Sequence, residues 1–163
     1  MTDYPQERKD EIKDKIINEY LGSYESIMKT ALCIREDWFY PDSVEIVVKH
    51  DEGSYQGDSM ALLKRWKEYY IANWGWGSCS GCDALEASSE NPDSLIELVL
   101  DYQSSLSPKL ETKMEVLEYI SKERQNVFDK ELLDNFESEV RKYFESQTTL
   151  KETGSNIWKG EKE

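Results

Sequence analysis

Apolar residues recur every three or four positions near the start of the chain, at Ile12, Ile16, Ile17, Tyr20, Tyr24, Ile27, Met28 and Ala31. That step is the period of a helix with one buried face, so the stretch from Pro5 to about Ile34 predicts one long helix or two. Gly22-Ser23 is the expected break, because glycine inside a helix costs about 1 kcal/mol relative to alanine. A turn is expected from Arg35 to Ser43, where Pro41 disfavours helix at Tyr40.

The period then changes. Val44-Glu45-Ile46-Val47-Val48-Lys49 is short and β-branched, which predicts a strand. Asp51-Glu52-Gly53-Ser54 and Gly57-Asp58 read as turn or loop. Met60 to Trp66 and Tyr69 to Trp76 predict two more strands joined tightly at Lys67-Glu68, although Ala61 to Trp66 could be helical on propensity alone. After Cys82 the helical step returns. Asn91-Pro92 predicts a capped start, with Leu95, Leu98, Val99, Tyr102 and Leu106 on one face. Ser107-Pro108 repeats that device for a helix carrying Leu110, Met114, Leu117 and Ile120. A last helix places Phe128, Leu132, Leu133, Phe136, Val140, Tyr143 and Phe144 on one stripe.

Helix, three strands, then more helices is a segregated order, which fits an α+β fold better than a parallel wound sheet. The expected architecture is a small antiparallel three-stranded sheet flanked by N-terminal and C-terminal helices. The 163 residues suit a single domain over about 1–147, with a polar, mobile tail at 148–163 in which only Ile157-Trp158 could dock.

Composition narrows the function classes. The aromatic content, with five tryptophans and ten tyrosines, is that of a folded chain rather than a disordered one. No run approaches the ~18 apolar residues of a membrane span, and the first residues lack the pattern of a secretion signal. The expected location is the cytoplasm. Three cysteines do not make the even framework of a small secreted protein, so reduced thiols or a metal are expected.

A formal charge of −14 repels phosphates, which argues against a direct nucleic-acid binder and for a basic partner. Between Lys67 and Lys109 there is no basic residue, whereas Glu68, Asp83, Glu86, Glu90, Asp93, Glu97 and Asp101 fall inside that gap. On a helix from Pro92, Asp93, Glu97 and Asp101 lie within about 80° of one another, opposite Leu95 and Tyr102. They are expected to face water, either as a solvated surface or as an acidic face that imitates nucleic-acid phosphates for a basic host protein.

The segment Trp74 to Glu86 is the densest in candidate chemistry. Its glycines let the chain turn sharply, and Asp83-Ala84-Leu85-Glu86 suits a helix start that would favour thiolate at Cys79 or Cys82. Two chemical alternatives follow. Cys79 as nucleophile and Cys82 as resolving thiol would make a redox pair; Cys79, Cys82, Cys33 and His50 would make a zinc set. Against both stands the plain reading of two thiols packed at a tight turn, with no cofactor. A lone histidine leaves little room for a catalytic triad, and no glycine-rich phosphate cradle precedes Lys64 or Lys67.

The segments Tyr55-Gln56-Gly57-Asp58 and Gly75-Trp76-Gly77-Ser78-Cys79-Ser80-Gly81-Cys82-Asp83-Ala84-Leu85-Glu86 resemble a set of small uncharacterised phage and prophage proteins with YQGD followed by GYGSCSGCDAL. Trp76 stands where tyrosine is usual in that set. The resemblance covers about thirty residues and implies a phage-type origin without implying an activity. The combined expectation is a non-enzymatic phage-type protein that binds a host protein, as an inhibitor or nucleic-acid mimic. Its candidate binding residues are Tyr55, Gln56, Asp58, Trp74, Trp76, Asp93, Glu97 and Asp101.

Overall fold

The computed structural model describes residues 4–16, 21–38, 40–53, 57–77, 83–88, 91–125 and 129–162. Helices α1 (Gln6–Lys15) and α2 (Tyr24–Arg35) come first, on either side of the Gly22-Ser23 break. Ser23 starts α2 through a reciprocal cap with Ser26, its hydroxyl accepting from the Ser26 N–H, which satisfies one of the free amides of the first turn. Three antiparallel strands follow, β1 (Glu45–Gly53), β2 (Gly57–Arg65) and β3 (Glu68–Trp76), with β2 in the centre. After them come α3 (Ala84–Ser88), α4 (Pro92–Tyr102), α5 (Lys113–Glu123) and α6 (Lys130–Lys162). This is the expected α+β class.

Alternation along the strands divides the interior into two cores. Ala61, Leu63, Tyr70, Ala72 and Trp74 point to one face, where they meet Ile12 of α1, Ile27, Met28, Ala31 and Leu32 of α2, and Ile96 and Val99 of α4. Val48, Met60, Leu62 and Ile71 point to the other, against Val116 and Ile120 of α5 and Leu132, Leu133, Phe136, Val140 and Phe144 of α6. The N-terminal helices and α4 thus cover one face and the C-terminal helices the other. Fully burying Phe136 or Leu62 contributes about 1.5–3 kcal/mol each, so these two stripes fix the register of the sheet.

Several boundaries differ from expectation. Asp51 and Glu52 extend β1 instead of forming a turn, because each is satisfied in place. Asp51 accepts from the Ser59 hydroxyl across the strand pair, and Glu52 lies 2.7 Å from His50 and accepts from Asn135 at 2.8 Å. Likewise β2 begins at Gly57, opposite Gly53; a Cβ on Gly57 would lie 1.9 Å from the Glu52 carbonyl oxygen, so only glycine allows this approach. The β2–β3 connection is Trp66-Lys67 rather than Lys67-Glu68, with Trp66 at φ 56°. Trp66 and Trp38 hold the Arg65 guanidinium between them, 4.0 and 3.5 Å from their ring centres.

The helix expected after Ser107-Pro108 starts later, at Lys113, capped by Thr112. Residues 106–110 instead line the edge of β3. Leu110 exchanges backbone hydrogen bonds with Tyr69, the Ser107 N–H donates to the Ile71 carbonyl at 2.8 Å, and the Ser107 hydroxyl accepts the Ile71 N–H at 2.8 Å. Those bonds satisfy a strand edge, which outweighs the helix-start signal. Met114, expected on the buried stripe, is accordingly exposed. Finally, α6 continues as helix to Lys162, through the segment expected to be a polar tail.

Candidate functional site

The end of the sheet where Gly57 pairs with Trp76 brings together three of the residues singled out by sequence, Asp58, Trp74 and Trp76. Trp74 is buried on the α2 face, its ring stacked on Tyr24 at 6.1 Å and 17°, while Tyr24 meets Tyr102 edge-on at 6.1 Å. Trp76 lies half-buried on the same face and Asp58 is exposed on the opposite one. Asp83 ties this end together. One carboxylate oxygen accepts the Tyr24 hydroxyl at 2.7 Å and the other accepts the Gly77 N–H at 2.8 Å; the Tyr24 oxygen in turn accepts the Leu85 N–H at 3.2 Å. Burial, together with the hydrogen bond to the Asp83 carboxylate, pushes the Tyr24 phenol well above its ordinary pKa, so it remains a donor. The acid of the Cys-Asp-Ala-Leu segment therefore pins β3 and α3 to α2.

Two clefts open here, one on the α2 face and one at the β3 edge, mainly toward the α6 face, with Ser59 and Trp74 lining both. The cleft on the α2 face, about 290 Å³, is lined by Tyr24, Glu25, Lys49, Asp51, Trp74 and Trp76 among others. It already contains a cation. The Lys49 ammonium pairs with Glu25, lies 3.7 Å from Asp51 and sits 5.8 Å over the Trp74 ring. Burial works to lower its pKa, but the two carboxylates outweigh burial and hold it above its ordinary value.

The cleft on the α6 face, about 280 Å³, is bounded by Asp58, Met60, Asn73, Gly75, Tyr102, Ser105, Asp129 and Leu132, with Ser59 and Trp74. Among the described residues two carboxylates line it and no lysine or arginine does. One Asp129 oxygen caps α6 by accepting the Leu132 N–H at 3.0 Å; Asp58 has no side-chain partner among the described residues. Gly75 contributes no side chain to this face, and a Cβ there would meet nothing nearer than an Asp58 carboxylate oxygen at 3.4 Å.

The acidic stripe is elsewhere, and its carboxylates are partnered, Glu97 partly buried and Asp93 still half-exposed. Glu97 pairs with Lys9 of α1 at 2.5 Å, Asp93 with Lys13 at 2.8 Å, and Asp101 accepts the Tyr4 hydroxyl at 3.1 Å. The expectation of a free acidic face is corrected in part: Glu97 and Asp93 tie α4 to α1 and Asp101 holds Tyr4 just before it, while Asp93 stays half-exposed. A cationic stripe on α1, at the spacing of one helix face, explains why they cluster.

The zinc set is also corrected in part. Cys33 is buried in the core between α2 and the sheet, whereas His50 lies on the other face, its ring nitrogens 2.7 Å from Glu52 and 3.1 Å from Glu139 of α6. The sheet separates them, so they cannot share an ion. Among the described residues no group of three His, Cys, Asp or Glu side chains is placed to hold a metal. Cys79, Cys82, Tyr55 and Gln56 lie outside the described residues.

Tyr24, Ser59, Asn73 and Asp129 were not anticipated at a site. Tyr24 reads in sequence as one more member of the helical apolar stripe. The available signal was its place in the first turn of α2, where a hydroxyl at the rim of a core can reach a neighbouring strand end. Among the described residues no helix is long and apolar enough to cross a membrane. No family model, curated protein or solved structure matches the chain.

Proposed function

We propose that the chain is a non-enzymatic interaction protein of phage type that works in the host cytosol by capturing a basic host protein. The surface it uses is the Gly57–Trp76 end of the sheet rather than the stripe on α4. The observation that carries this reading is the α6-face cleft, with the carboxylates of Asp58 and Asp129 and no lysine or arginine among its described lining residues. A lysine or arginine of a partner is the group that completes it. The α2-face cleft supports the same reading, because there the chain's own Lys49 sits between carboxylates and over Trp74. A protein of charge −14 steers such a partner from a distance, and the cleft supplies the local contact. Covering a basic surface also keeps nucleic-acid phosphate away from it, which is the inhibitory outcome. The phage-type origin rests on the resemblance of Tyr55-Gln56-Gly57-Asp58 and of the Gly75–Glu86 segment, whose described residues Gly57, Asp58, Gly75, Trp76, Gly77 and Asp83 lie at this end of the sheet.

The test is titration calorimetry with a lysine- and arginine-rich peptide at 150 mM salt. Asp58→Lys should weaken binding about tenfold, equivalent to about 1.4 kcal/mol. Glu118→Lys, the same charge change on the exposed side of α5, should have little effect. Equal losses in both variants would mean that net charge alone, and no site, governs association.

A further inference from the structure

The covered part of the β3 edge ends abruptly. Tyr69 and Ile71 turn their backbone N–H and C=O groups outward, and residues 106–110 satisfy them: Tyr69 N–H to Leu110 at 2.7 Å, Leu110 N–H to Tyr69 at 2.9 Å, and the pair of bonds between Ile71 and Ser107. The pairing of β2 with β3 is regular from Glu68 to Trp76, so the alternation continues, and Asn73 and Gly75 turn their backbone groups to the same edge. The covering segment stops at Leu106, opposite Ala72, where the chain enters the turn at Gln103–Ser105. Among the described residues neither Asn73 nor Gly75 has a hydrogen-bond partner on that edge. The edge opens directly into the α6-face cleft, which both residues line.

Exposed strand edges are templates for another strand, and main-chain pairing with alternate side chains in pockets is a common way of binding extended peptides. We infer that the partner is captured as an extended cationic segment, which pairs its backbone with Asn73 and Gly75 as a fourth strand and places a lysine or arginine between Asp58 and Asp129. This rests on the proposed function above and adds the form of the ligand to it. Charge chooses the occupant: the cleft offers two carboxylates to whatever lies along the edge, so an acidic or neutral strand gains only the backbone bonds. The absent side chain of Gly75 is what leaves room for the incoming one.

The experiment compares three synthetic probes by calorimetry: a nine-residue peptide alternating lysine and valine, the same peptide N-methylated at every second amide on its pairing edge, and a lysine-rich helical peptide of equal charge. The unmodified peptide should bind at least tenfold more tightly than either of the others and should slow hydrogen exchange at the amides of Asn73 and Gly75. Gly75→Leu, which fills the cleft without changing charge, should reduce its affinity by a similar factor. Binding of all three probes with equal affinity, still sensitive to Asp58→Lys, would overturn the strand mode and leave the basic-partner reading standing. Failure of every cationic probe to bind would overturn both.

Discussion

Replacing Asp83 separates the hydrogen-bonding role of its carboxylate from its charge. The residue is 8% exposed and, among the described residues, accepts from the Tyr24 hydroxyl at 2.7 Å and the Gly77 N–H at 2.8 Å. Hydrogen bonds to a charged partner contribute roughly 1.5–3 kcal/mol each, and neighbouring bonds are not additive, so Asp83→Ala should cost about 3 kcal/mol. Asp83→Asn is predicted to be much milder. The Gly77 N–H can only donate, so the amide oxygen must face it, and the NH2 group then meets Tyr24. The Tyr24 oxygen already accepts the Leu85 N–H and has a second lone pair with which to accept another, at the expense of turning its own proton away. About 1 kcal/mol should be lost. For a domain of this size, that is a melting point lowered by roughly 6–12 °C for Ala and about 2–4 °C for Asn. Urea unfolding gives the free energies, and hydrogen exchange at Gly77 and Leu85 should accelerate in Asp83→Ala well before global unfolding. An alanine variant within about 0.5 kcal/mol of the parent, or an asparagine variant as unstable as alanine, would refute the assignment of Asp83 as the tie between β3, α3 and α2.

Glu97→Gln should destabilise the protein by about 1–2 kcal/mol, since it weakens a partly buried charged hydrogen bond to Lys9. Asp93→Asn, in the exposed pair with Lys13, should change stability little, and equal effects in denaturant titrations would contradict the packing of α1 on α4. His50 should make stability depend on pH: its bond to Glu52, aided by Glu139 and opposed by burial, raises its pKa above the ordinary value. The sign follows from linkage: the stabilisation is complete below the unfolded-state pKa of about 6.5 and is lost as pH rises through the higher folded-state value. His50→Gln should abolish that slope, which unfolding curves collected across neutral pH would reveal. Cys33, 1% exposed, should resist alkylation until the protein unfolds, and a disulfide reporter should not be turned over; a rate that vanishes in Cys79→Ser would instead establish redox catalysis.

Much of the fold was legible because its signals are local. The strands showed as short β-branched and aromatic runs, with β2 and β3 buried on both faces, and the three-to-four-residue stripes of α2, α4 and α6 needed only one face to be buried. The failures came where a distant partner decided. Ser107-Pro108 has the chemistry of a helix start, yet Ile71 supplies bonds that hold Ser107 against β3. Asp93, Glu97 and Asp101 look solvated on their own helix, and only the placement of the N-terminal segment shows that Lys13, Lys9 and Tyr4 meet them. The site was half legible. Asp58, Trp74, Trp76 and Asp83 stood out through local composition and resemblance, whereas Asp129 was hidden as a helix cap and Asn73 as an ordinary strand residue. What joins them is the strand register, which no single segment encodes.

The most direct measurement is where a cationic ligand lands. Backbone amide shifts recorded while the lysine- and arginine-rich peptide is titrated should move at Asp58, Asn73, Gly75 and Asp129, with little change along α4 from Asp93 to Asp101. Saturable shifts confined to that end of the sheet, and lost in Asp58→Lys, are the predicted result; shifts centred on the α1–α4 face, or spread evenly over the acidic surface, would contradict it.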